Sequence, residues 1–180
     1  KLTMPPLNLP VRYIPDGYAD LRPLMADWEN SRPISEKEIP ALDKGNILLT
    51  TAITDDMLPF IDKGGAVIVF NSKWEGGIGS QSDFYWGNAF FAPPVGPWKS
   101  VDISRLIRLH QYDLIHQKST LIPTESLGLL DEVDPLMRFY RIHDYRDIDI
   151  KDALWATNIG DGLLVVTSLD HSADAGQLLL

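Results

Sequence analysis

The sequence predicts an α/β fold, wound on both faces of a mainly parallel sheet and carrying an antiparallel hairpin near the C-terminus. Three observations predict it. Between Asn46 and Asn71 an apolar stretch (Ile47-Leu48-Leu49), a polar-capped segment and a second apolar stretch (Ala66 to Phe70) follow one another, the pattern of a strand–helix–strand crossover and hence of parallel pairing. Upstream, Val11 to Ile14 followed by Leu21, Leu24, Met25 and Trp28 at helical spacing reads as a further strand–helix unit. Downstream, Ala153 to Ile159 and Leu163 to Leu169 flank Gly160-Asp161-Gly162, a three-residue loop with glycine at both ends that suits a hairpin.

In chain order, the strand at Val11 to Ile14 leads into a helix over Tyr18 to Trp28. Ser35 with Glu38 matches a capping box, so a short helix through Leu42 precedes the strand at Ile47. Thr54 is placed to cap the next helix, Asp55 and Asp56 suit the positive end of its dipole, and Gly64-Gly65 supplies a left-handed stop. Pro59 would cost that helix a backbone hydrogen bond about one turn in, which predicts a late start or a kink. Ser72 to Ser100 is rich in Gly, Pro and aromatic residues and has no helical or strand period, the mark of a long loop or insertion spanning residues 72–100. Beyond it, Leu106 to Ile115 reads as helix, and Ser119 to Ile122 and Leu136 to Ile142 read as strands.

A chain of 180 residues, 44% apolar and 23% charged, fits a single globular domain over residues 1–180 with one sizeable core. With 25 acidic against 16 basic residues the net charge is −9, which opposes attraction to nucleic acid or to an anionic membrane surface. No apolar run approaches the roughly 18 residues of a membrane span, and KLTMPPLNLP has no signal-peptide core, so no membrane insertion is expected. The absence of cysteine removes disulfides, thiolate metal sites and cysteine nucleophiles. The start at Lys1 and the closing apolar run Gln177 to Leu180, which reads as the first turns of a helix, predict a fragment of a larger chain.

No residue pattern predicts a metal site or a cofactor. His110, His116, His143 and His171 include no pair at metal-ligand spacing and read as surface or partly packed side chains. Asp144, Asp147, Asp149 and Asp152 are closely spaced, but the glycine and terminal glutamate of a calcium loop are missing, and a solvated charged loop is the simpler reading. No serine lies in a nucleophile elbow, and Gly76, Gly77 and Gly79 do not open a helix after a strand as a phosphate loop requires. The aromatic residues between Trp74 and Trp98 are the remaining candidates. Trp74, Tyr85, Trp86 and Trp98 offer flat faces that can stack on sugar rings, or that can pack in a core or a domain interface; nothing in their spacing demands a sugar, and packing is the favoured reading.

Three stretches carry a family resemblance. NILLTTAITDDMLPFIDKGGAVIVF, TESLGLLDEVDPLMRFYRIHDY and ALWATNIGDGLLVVTSLD, the last being the most specific, together resemble the C-terminal α/β domain of some bacterial family 2 glycoside hydrolases, the β-galactosidase-like enzymes with a sugar-binding jelly-roll domain. The resemblance implies a three-layer sandwich similar to the class I glutamine amidotransferase and flavodoxin-like folds. It also implies an accessory role with no catalytic residue here, other domains of a parent hydrolase as partners, contact with carbohydrate as a further option, and a secreted or periplasmic parent. The amidotransferase reaction does not carry over, because its cysteine nucleophile is lacking. Two rival expectations are a carbohydrate-binding module using the aromatic loop, and a stand-alone hydrolase with Ser72 as nucleophile and one of the four histidines as its base.

Overall fold

The computed structural model describes residues 9–17, 19–70, 80–81, 88–91, 120–123, 133–144, 147–169 and 171, those at 80–81, 88–91, 120–123, 139–144 and 147–151 by backbone alone. The elements are β1 (Val11–Tyr13), α1 (Arg22–Met25), β2 (Ser31–Pro33), a 3-10 helix (Glu36–Ala41), β3 (Ile47–Thr50), a 3-10 turn (Asp55–Met57) continuing as α2 (Leu58–Asp62), and β4 (Ala66–Phe70). There follow β5 (Ser80–Gln81), β6 (Asn88–Phe91), β7 (Thr120–Pro123), β8 (Asp134–Asp144), β9 (Asp147–Ile159) and β10 (Gly162–Thr167).

The sheet runs β2-β1-β3-β4-β10-β9. Its first five strands pair in parallel, and β10 turns back antiparallel on β9. β9 then pairs antiparallel with β8 along one edge and with β7 along the other, and β6 and β5 extend from β8 and β7. The fold is thus the α/β class, a mixed sheet closed by an antiparallel C-terminal hairpin.

Two apolar layers sandwich the parallel half. Alternate strand residues point to opposite faces, so Leu48, Val67, Val69, Leu164 and Val166 meet Ile39, Met57, Phe60 and Ile61 on one side. Val11, Tyr13, Leu49 and Phe70 meet Leu21 and Met25 on the other. The strand order explains the two layers. The chain moves outward from β1 to β2, then returns past β1 to β3 and onward to β4; right-handed crossovers in opposite directions place α1 on one face and the 3-10 helix with α2 on the other. Ile39, Leu48, Met57, Ile61, Val67 and Val69 are wholly excluded from water, and such burial contributes roughly 1.5–3 kcal/mol per large side chain.

Several elements differ in extent from their sequence-based expectation. The helix expected over Tyr18 to Trp28 is the single turn α1: Pro23 sits in its first turn, and the Trp28 N–H bonds back to Met25, three residues away, tightening the chain toward β2. Its apolar residues still face the core as their spacing requires. The segment after β3 is a 3-10 turn before it becomes α-helix, so Pro59 falls in the first turn of α2, where no backbone N–H is needed. Thr54 does occupy the capping position with extended φ −123° and ψ 157°, but its hydroxyl makes no cap hydrogen bond. At the other end Gly64 adopts φ 99°, its N–H reaching Ile61 and the Gly65 N–H reaching Phe60, a Schellman stop. The hairpin loop is two residues, Gly160-Asp161, because Gly162 already pairs with Ile159. Positive φ at Gly160 (57°) alone fits a turn with glycine in its first central position. Within the segment expected to be an irregular loop, β5 and β6 are strands; its remaining residues, and the helix expected over Leu106 to Ile115, lie outside the described residues.

The capping box at Ser35 is present. The Glu38 carboxylate accepts from the Ser35 N–H at 2.8 Å and from the Ser35 hydroxyl at 3.0 Å, with Arg32 at 3.3 Å. These hydrogen bonds, the backbone one foremost, hold the Glu38 carboxyl below its ordinary value. A depressed folded-state value means that the cap stabilises above the usual glutamate range and that its contribution is lost as pH falls through the lowered value. The small difference in melting temperature between wild type and Glu38→Ala at neutral pH should therefore shrink on acidification, read by thermal melts across pH.

Candidate functional site

In a doubly wound sheet the place for a ligand is the crevice beyond the carboxyl ends of the parallel strands, at the point where the strand order reverses. Here that point lies between β1 and β3, and the segments following them come close at Gly17 and Thr51. Gly17, in the loop after β1, lies so near Thr51, just past β3, that a methyl group at its Cα would collide with the Thr51 hydroxyl. Thr50 and Thr51 are buried; the Thr50 hydroxyl donates to the Ala52 carbonyl at 2.9 Å and accepts the Ala52 N–H at 3.2 Å, folding the chain over the strand end.

The loop after β1 is also tied from outside. Arg22 forms a fork to both carboxylate oxygens of Asp16 at 2.9 and 3.0 Å and reaches Asp20 at 3.2 Å. The bond to Asp16 is the main cause that raises the Arg22 pKa further above its ordinary value, so the guanidinium stays charged. All three side chains are at least half exposed, which makes this a tether of modest worth. Beside it, an open groove of about 400 Å³ has Ile14 and Ile34 in its floor and Asp16, Ser35, Glu36 and Glu38 around it.

A second polar cluster lies across the sheet, at the neighbouring carboxyl ends of β4 and β10, where Phe70 pairs with Thr167. His171 Nε2 is 2.7 Å from the Thr167 hydroxyl, which also accepts the Leu169 N–H at 3.2 Å, and the imidazole stands edge-on to Phe70 with ring centroids 5.2 Å apart. A hydroxyl at hydrogen-bond distance from an imidazole is the geometry of an activated nucleophile. The two residues are 2% and 5% exposed, and their hydrogen bond, with that from the Leu169 N–H, fastens the exit of β10. Thr167→Val removes a partner from both the imidazole and the Leu169 N–H while keeping the shape; the expected loss is about 2 kcal/mol, read as a lower urea midpoint.

Sequence reasoning missed this pair. His171 was expected at the surface or partly packed, and it is buried. A single Thr and a single His four residues apart carry no motif; only the strand end at Thr167 brings them together. Asp152, expected in a solvated charged loop, is instead a wholly buried strand residue bonded by the Arg138 guanidinium at 3.0 Å. Its backbone pairs with Arg138 on one side and Ile122 on the other, which is why it cannot belong to a loop. The aromatic candidates Trp74, Tyr85, Trp86 and Trp98 lie outside the described residues, as do Ser72, His110 and His116. His143 falls on β8 in the stretch described by backbone alone. Among the described residues no group of three or more His, Asp or Glu side chains is arranged to hold a metal ion, and no helix is long and apolar enough to cross a membrane. No protein-family model and no curated protein matches the chain.

Proposed function

We propose that the chain is a non-catalytic accessory domain that packs against other domains of a multidomain glycoside hydrolase resembling family 2. What supports the non-catalytic part is that Gly17 approaches Thr51 closely where this architecture would seat a ligand, and that Thr50, Thr167 and His171 make hydrogen bonds within the domain. The stretches that carry the family resemblance are β3 through β4, β8, and the β9–β10 hairpin, elements that form the sheet of this domain. In a retaining parent enzyme, a carboxylic acid and a carboxylate about 5 Å apart would do the chemistry from a separate barrel.

The test has two parts. The coding sequence flanking these residues should encode a barrel-sized region with two acidic residues at strand ends, and the isolated 180-residue domain should hydrolyse neither nitrophenyl glycosides nor simple esters and amides above the buffer rate. Turnover that disappears in His171→Ala would overturn the accessory reading in favour of a self-contained hydrolase. Calorimetrically measurable affinity for a sugar, lost in Trp74→Ala or Trp86→Ala, would replace it with a carbohydrate-binding module.

A further inference from the structure

We draw no further inference here: the strongest candidate, the acidic groove beyond the carboxyl ends of β1 and β2, carries nothing, because Asp16 and Glu38 are engaged by Arg22, Ser35 and Arg32 and no buried, unpartnered side chain among the described residues is aimed into it.

Discussion

Replacing Gly162 with alanine should destabilise the domain by about 3–4 kcal/mol, although the change adds a single methyl group. That methyl would land on the carbonyl oxygens of Ile61 and Gly65, both main-chain atoms that cannot rotate aside. Relief requires the hairpin to move away from the end of α2. That movement stretches the hydrogen bonds from the Asp161 N–H to Asp62 and from the Leu163 N–H to Gly65, each 3.1 Å long and worth about 1 kcal/mol. It also loosens Phe60 and Ile61 from Leu164, in the larger of the two cores. Gly45→Ala is the matched control: nothing lies within 4 Å of the added atom, the site is exposed, and the expected change is within about 0.5 kcal/mol. Urea titration of both variants decides the matter. A midpoint for Gly162→Ala equal to that of Gly45→Ala would show that the hairpin and α2 are not locked together as described.

The position of Gly162 also marks how far the sequence could be read. Glycine at both ends of a short polar interval between apolar runs signals a hairpin, and the hairpin forms. Both Gly160 and Gly162 let the end of α2 approach, since a methyl on Gly160 would meet the Asp62 backbone, but only Gly160 carries a local reason as well. Gly160 has φ 57°, a conformation that turn chemistry foresees. Gly162 is a strand residue that must let α2 approach, a demand set by a helix about 100 positions earlier in the chain and invisible in any local window. The same division runs through the fold. Leu48 and Leu49, Val67 and Ile68 alternate between layers as their period dictates, and Ser35 with Glu38 builds the cap that their spacing announces.

Helix lengths were less legible. Apolar spacing reports the face a segment presents and not the residue at which it stops, and α1 ends after one turn with Leu21 and Met25 still correctly inward. The polar clusters were least legible of all. Thr167 and His171 meet because β10 ends between them, and Arg138 meets Asp152 through pairing of β8 with β9, and neither pair is encoded by a spacing rule.

Arg138→Ala should cost about 3–5 kcal/mol, toward the lower figure because the Arg138 side chain is itself about a third exposed. Asp152 is the reason. Its carboxylate is wholly buried where β9 has neighbours on both edges, and withdrawing the guanidinium 3.0 Å away takes from a buried charge a hydrogen bond that water cannot readily replace. The pair is not thereby a net source of stability, since taking the carboxylate wholly and the guanidinium partly out of water costs much of what their attraction returns. The double variant Arg138→Met with Asp152→Leu should accordingly recover most of the loss, and the coupling between the two sites in a double-mutant cycle should exceed about 1 kcal/mol.

What that variant should lose is definition. Register irregularities occur between Pro135 and Met137 and between Met137 and Arg138, so the pairing of Arg138 with Asp152 is the first regular step beyond them. An apolar pair tolerates a one-residue slip better than a directional ionic hydrogen bond does. Amide exchange along β8 should therefore quicken in the double variant while its urea midpoint stays near wild type. Unchanged exchange would assign register to the side chains packed around Met137 and leave the charged pair with no role beyond satisfying itself.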